Sequence, residues 1–426
     1  MRRIIFILLF LNFILSIYSQ KHKIEILENI IEEALQNNPQ LLAARKGVSA
    51  VRTEIAQATA WESPQIGVEF RQTPVQSFPN PLKNGMETDY YFQQMIPFPG
   101  KLSAMGNALQ NKVSMTEMEY ETLKRKIIRQ VKSAYYELYY IQRKIQINAE
   151  NQEFMKKFVD LATQHYEVGM GNQQDILRAQ TEFSLLINEG MTLQKEERTT
   201  KAMLNALLNR PIESEFGFIP DIEVSIPPLT LDELLQLAEA HRPELKAMKF
   251  AIEMNKAETR AAKREYFPDI MTRVMYMDMA MTKNDFWSVM VGFNFPLFPW
   301  SSGKYTSRVE EKELRVNQSE YELQSMKNMI VFEVQEAFVK LETYKNLMLL
   351  YKTTVIPQAE QTLNSTIAAY QTGKTEFLMV IDAYRMTLMA KLDYHMAVMN
   401  TMNSLASLEQ AVGLELENIL DAKSNE

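Results

Sequence analysis

Met271, Met275, Met277, Met279 and Met281 occupy odd positions of one segment, with Arg273 among them. Residues two apart in a strand share a face, so a strand here would line up the thioethers. Thioether sulfur binds soft ions such as Cu(I) or Ag(I). Methionine also fills space without specificity, and the chain holds 27 of them, so packing is the stronger expectation and metal ligation the lesser one. The other metal-binding residue types offer less. His22, His165, His241 and His395 are scattered, and no cysteine is present. That excludes disulfides, thiol catalysis, thiolate metal sites and an acylated N-terminal cysteine. No zinc spacing, Ser/His/Asp set or phosphate loop occurs. The chain is expected to be a non-enzyme without a cofactor. His165 lies near a glycine turn and could respond to pH, but a solvated surface histidine is the stronger expectation.

Charge is mixed, with a formal net of -7 over 426 residues. No basic run or face suggests nucleic acid as a partner. Arg2 and Arg3 precede an apolar run, Ile4 to Ile17, and Ser19 is a small residue at a cleavage position. Residues 1–19 therefore resemble a secretory signal peptide. The run is too short for a comfortable membrane span. Removing the two arginines takes the net from -7 to -9.

Two duplicated halves must position whatever site exists. Leu27, Ala34, Pro39, Leu41, Glu54, Ala58, Pro64 and Ile66 recur in order as Leu231, Ala238, Pro243, Leu245, Glu258, Ala262, Pro268 and Ile270. Tyr166-Glu-Val-Gly169 recurs as Tyr370-Gln-Thr-Gly373. A duplication this long implies two copies of one structural unit.

Each half opens with two helices split at Pro39 or Pro243, because proline suits a first turn and not a helix interior. After Pro64 and Pro268 the period changes to two. Ile66, Val68 and Phe70 alternate with polar or small residues, as do Trp287, Val289, Val291, Phe293 and Phe295. Asp89 to Ile96 and Ile270 to Met279 supply the partner strands, giving hairpins at about 64–97 and 268–297. Alternation alone favours a soluble sandwich, since an open sheet cannot sit in lipid. Long helical stretches follow. From Tyr305 to Tyr370 the only break is Pro357. A helix from Leu102 to Tyr166 would be about 97 Å long. Ile127, Val131, Ala134, Leu138, Ile141 and Ile145 step by four and three, as do Ile330, Val334, Ala337, Leu341, Tyr344 and Met348. That is a left-handed coiled-coil seam. Each rod turns at glycine, so the coiled-coil hairpins run about 102–208 and 305–412. The organisation is a first repeat at 20–210, a connector at 211–230, a second repeat at 231–412 and a tail at 413–426. Ile222 to Ile226 alternates and could form a small strand.

The export signal, the Pro-Phe-Pro-Gly-Lys101 element, the Ala134-Tyr135 and Ala337-Phe338 pairs and the Tyr-x-x-Gly tips resemble, as a set, the TolC-type outer-membrane efflux proteins. The proline element resembles their heavy-metal, RND-associated branch. The resemblance implies a mainly α, internally duplicated fold. Four strands per chain would join a trimeric twelve-stranded outer-membrane β-barrel, with long α-helical hairpins forming a periplasmic α-barrel. That reverses the sandwich expectation, because closure removes every sheet edge. It implies a passive exit duct, a homotrimer, contact with outer-membrane lipid, a periplasmic adaptor (membrane fusion) protein and an RND-type inner-membrane pump. Type I protein secretion is the alternative within the family. A soluble periplasmic coiled-coil scaffold is the alternative from another class.

Residue by residue, the resemblance makes Tyr166, Val168, Gly169, Met170, Gly373 and Lys374 the adaptor-docking tips. It makes Asp175, Tyr370, Asp382 and Lys374 the periplasmic gate, with Tyr370 bonded to Asp175. Thr375 and Met379 replace an arginine and an aspartate of the family pattern, which weakens the gate's ion-pair network.

Overall fold

The computed structural model describes residues 26–82, 85–169, 171–279, 284–296 and 298–416. The signal segment, Met170, Met281 and the end of the tail lie outside them. The elements of the first half are, in order, α1 (Leu27–Asn37), α2 (Pro39–Thr59), β1 (Gln65–Arg71), β2 (Glu87–Ile96), α3 (Lys101–Glu167) and α4 (Gln173–Leu207). The second half repeats the order with α5 (Leu231–His241), α6 (Pro243–Arg264), β3 (Asp269–Met279), β4 (Phe286–Asn294), α7 (Ser302–Leu350), α8 (Ile356–Gln371) and α9 (Phe377–Val412). None of the described helices is long and apolar enough to cross a membrane.

The described residues divide into two compact units. The first, Ala44–Glu121 with Pro243–Asn328, contains the sheet. Its four strands are antiparallel in the order β1-β2-β3-β4. Strands β1 and β4 are therefore its two edges, with unpaired backbone groups. The duplication is visible in side-chain pairing. Glu54 of α2 meets Lys112 of α3 at 2.7 Å, and its counterpart Glu258 of α6 meets Lys312 of α7 at 2.7 Å. Asp269 fixes the Pro-Phe-Pro-Gly-Lys element. One oxygen accepts from the Phe98 N–H at 2.9 Å and the other from Lys101 at 2.7 Å.

The second unit takes in the described parts of Met1–Ala43, Thr122–Arg242 and Met329–Glu426. Asn38 caps α2: its Oδ1 accepts from the N–H of Gln40 at 2.9 Å and of Leu41 at 3.3 Å. Such a cap is worth about 1 kcal/mol. Most of the seam is buried, at Ile127, Val131, Ala134, Leu138 and Ile141 and at Ile330, Val334, Ala337 and Leu341, while Ile145, Tyr344 and Met348 at its ends are only partly buried. Helices α3 and α9 are joined by Lys132–Glu409 at 2.6 Å and by Tyr139 Oη with His395 Nδ1 at 3.1 Å. Helices α4 and α7 keep large apolar side chains exposed: Leu177, Leu185 and Met191 on α4, and Phe332, Val339 and Leu349 on α7.

Two expectations change. The helix after Tyr305 is interrupted at Tyr351–Val355 by one π-turn, immediately before Pro357. Proline has no N–H to give the preceding turn, and a wider turn absorbs the defect. The connector residues Ile222 to Ile226 form no strand. Helix α3 meets the connector through side chains instead. Gln142 donates to the Gly217 carbonyl at 3.1 Å and accepts from the Ile219 N–H at 2.9 Å, while Arg143 donates to the Ile219 carbonyl at 3.2 Å and pairs with Asp221 at 3.0 Å.

Candidate pore lining and helical tip

Strand register sorts the sheet into two unlike faces. Ile66 lies opposite Phe92, Val68 opposite Tyr90, Tyr276 opposite Trp287 and Ile270 opposite Phe293. These side chains make one apolar, aromatic face, and it is open: Ile66 is 79% exposed and Trp287 75%. A sandwich would cover this face. The other face is polar. Arg71 there lies 3.6 Å from Glu87 and 3.5 Å from Asp89. Arg273 donates to Gln93 at 2.9 Å and stacks on Tyr91, 4.6 Å from the ring centre. Tyr91 in turn covers Gly67, where a Cβ would fall 2.4 Å from the ring. A strip apolar on one side and polar on the other, with both edges unpaired, is the repeat unit of a barrel that separates lipid from a wet lumen.

The helical hairpins turn on Gly169 and Gly373, whose φ values of +73° and +68° lie in the left-handed region that favours glycine. The turns are closed by Gly169 N–H to Tyr166 O at 3.0 Å and Gly373 N–H to Tyr370 O at 2.9 Å. The two tyrosines then diverge. Tyr166 is 48% exposed and Tyr370 only 4%. Tyr370 stacks on His165 at 4.9 Å and packs on Phe377 within a cluster that includes Met155, Phe158 and Tyr384. Among the described residues its hydroxyl has no hydrogen-bond partner, nor has that of Tyr384. Burial raises the Tyr370 pKa, and the charge of Asp175 raises it further. Burial likewise raises that of Tyr384, with Glu182 adding to it.

A family model described as "Outer membrane efflux protein" matches residues 30–210 and 234–414, one match for each copy of the repeat. The chain belongs to that family. It is 19% identical to the cobalt-zinc-cadmium resistance protein CzcC of Cupriavidus metallidurans, over 91% of this chain and 90% of that protein. It is 20% identical to the outer membrane protein TolC of Escherichia coli, over 96% of this chain and 87% of TolC. The solved structure of the outer membrane protein VceC from Vibrio cholerae has the same fold, with a TM-score of 0.77, 18% identity, and 93% and 98% of the two chains covered. The chain is thus an outer-membrane efflux channel with a periplasmic helical extension, of a family that is not enzymatic. Channels of the TolC family work as trimers in tripartite efflux systems.

The structure brings some of the expected site residues together. Tyr370 and Asp175 are close enough to interact electrostatically, without a hydrogen bond between them. Lys374 and Asp382 are exposed, as are Val168 and Gly169. Met271, Met275, Met277 and Met279 share the polar face, through their pairing with Met95, Tyr91, Asp89 and Glu87. Sequence reasoning missed the ion pair of Arg385 on α9 with Glu182 on α4, which ties the two hairpins near the tip. Helical spacing held the signal: Arg385 is one turn beyond Asp382, and Glu182 is two turns beyond Asp175.

Proposed function

We propose that three copies of this chain form one exit duct, with the four strands of each contributing to a twelve-stranded barrel. The supporting observation is the four-stranded sheet with two unpaired edges and an exposed apolar face. Pairing β4 of one copy with β1 of the next would satisfy both edges. The exposed apolar sides of α4 and α7 would meet in the same way between neighbours. Burying side chains of that size contributes roughly 1.5–3 kcal/mol each when complete. The duct is passive, and its energy comes from an inner-membrane pump of the RND type through a periplasmic adaptor.

The adaptor docks at the tips, on Tyr166, Val168, Gly169, Met170, Gly373 and Lys374. The gate is formed by Asp175, Tyr370, Lys374 and Asp382. Three copies of Asp382 around a narrow axis would attract cations and repel one another. The resemblance of the chain to a cobalt-zinc-cadmium resistance protein favours metal export over protein secretion as the pump's task. A photo-crosslinking residue placed at Lys374 in living cells tests the docking. The expected product joins this chain to a periplasmic adaptor, and the pump that co-purifies identifies the system. A properly assembled trimer with no adaptor adduct would overturn it.

A further inference from the structure

The sheet holds six methionines, Met95, Met271, Met275, Met277, Met279 and Met290, and register puts all of them on the polar face. Phe286 shares that face through its pairing with Met277, but no methionine of the sheet lies on the apolar one. Met95 and Met271 lie directly opposite each other on β2 and β3. Side chains so paired stand about 5 Å apart at Cβ, so two thioethers can reach one ion. Gly292 leaves room beside them: the Met271 methyl would be only 3.2 Å from a Cβ at that position. Further along the same face, Met277 lies opposite Asp89. The Asp89 side chain is fully enclosed, with Arg71 at 3.5 Å from Oδ2, and its Oδ1 has no hydrogen-bond partner among the described residues. An enclosed carboxylate with an unmet oxygen attracts a cation; the neighbouring thioethers select a soft one.

We propose that the polar face of the sheet is a track for soft monovalent metal cations, Ag(I) or Cu(I), centred on the Met95–Met271 pair and continuing to Met277 and Asp89. The proposal rests on this face lining the lumen. Divalent zinc-like ions prefer converging imidazoles and carboxylates, and no group of three such residues able to hold a metal occurs among the described residues. Neutral thioethers, without any cysteine thiolate, hold a soft ion loosely. Loose sites in series suit conduction, because an ion must leave as readily as it enters.

The test is silver titration of the purified full-length trimer carrying 13C-labelled methionine methyls, in chloride-free buffer. The methyl signals of Met95, Met271 and Met277 should shift first and saturate. Met95→Leu with Met271→Leu should weaken apparent silver affinity by about tenfold or more, and Asp89→Asn by about threefold. Unmoved signals from these three methyls in the wild-type trimer would overturn the track, even if the leucine variant fails to assemble. So would unchanged silver affinity in an assembled leucine variant. Conductance of the same wild-type preparation in a planar bilayer separates the two levels. Silence toward silver in a conducting trimer overturns the track alone, whereas absence of conductance overturns the lumen on which it rests.

Discussion

Replacing Tyr370 by phenylalanine gives opposite results depending on whether the hydroxyl is a latch. In the protomer the ring is almost fully buried, stacked on His165, and its hydroxyl is unpartnered. A buried polar group without a partner costs about 1–3 kcal/mol. If nothing in the assembled duct meets that hydroxyl, Tyr370→Phe removes the cost and stabilises each protomer by about 1 kcal/mol. If the closed tip turns the hydroxyl onto Asp175, a hydrogen bond to a charged acceptor forms, worth about 1.5–3 kcal/mol. Its loss would then shift each closed-to-open equilibrium toward open by about tenfold or more. A gate held by Tyr370 requires the second outcome. Single-channel recording at several voltages, paired with helix melting by circular dichroism, distinguishes the two. The expected result is higher conductance or longer open dwell times without a rise in melting temperature. Unchanged conductance with a higher melting temperature would refute the latch and leave Tyr370 a core residue.

Arg385→Ala should loosen the tip more mildly, because Arg385 is half exposed and such ion pairs contribute about 0.5–1 kcal/mol. Conductance changes in Arg385→Ala, Glu182→Ala and the double variant should be non-additive, and strict additivity would show that the pair does not couple the hairpins. Burial foremost, then the Arg143 charge, depresses the pKa of His395 to about 4. The neutral form is the folded form, so its stabilisation is complete above the unfolded pKa of about 6.5 and is lost as pH falls toward 4. Allowing for partial exposure, the loss is about 2 kcal/mol per protomer. His395→Gln should flatten the decline of melting temperature over that interval, and parallel curves for the two proteins would contradict this origin. Gly413 ends α9 at a φ of +82°, and a Cβ there would lie 3.0 Å from the Cα of Arg242. Gly413→Ala should therefore cost about 1–3 kcal/mol, read as a lower melting temperature; an unchanged one would show that the turn relaxes freely.

Much of the architecture was legible because periodicity is local. The heptad steps of α3 and α7 lie in consecutive residues, and so does the alternation of β1 and β4. Environments set by distant residues were not. Tyr166 and Tyr370 occupy equivalent places in two copies of one motif, yet one is half exposed and the other is enclosed by Phe377 and His165. Met95 was missed because β2 alternates weakly, and only its register against β3 puts it opposite Met271. The π-turn before Pro357 was hidden for a similar reason. Sequence marks the proline, but whether a helix breaks or widens depends on what packs beside it, and here Tyr351 reaches Asp393 of α9 at 3.1 Å.

If three copies build the barrel, each sheet closes only where they meet edge to edge. The absence of native cysteine makes a direct measurement possible. Val68→Cys on β1 can be combined in turn with Trp287→Cys, Val289→Cys or Val291→Cys on β4, all on the apolar face. After oxidation in outer-membrane preparations, at least one combination should give a covalent ladder that stops at three chains. Monomers alone from every combination, or a ladder continuing past three, would show that three copies do not close the sheet.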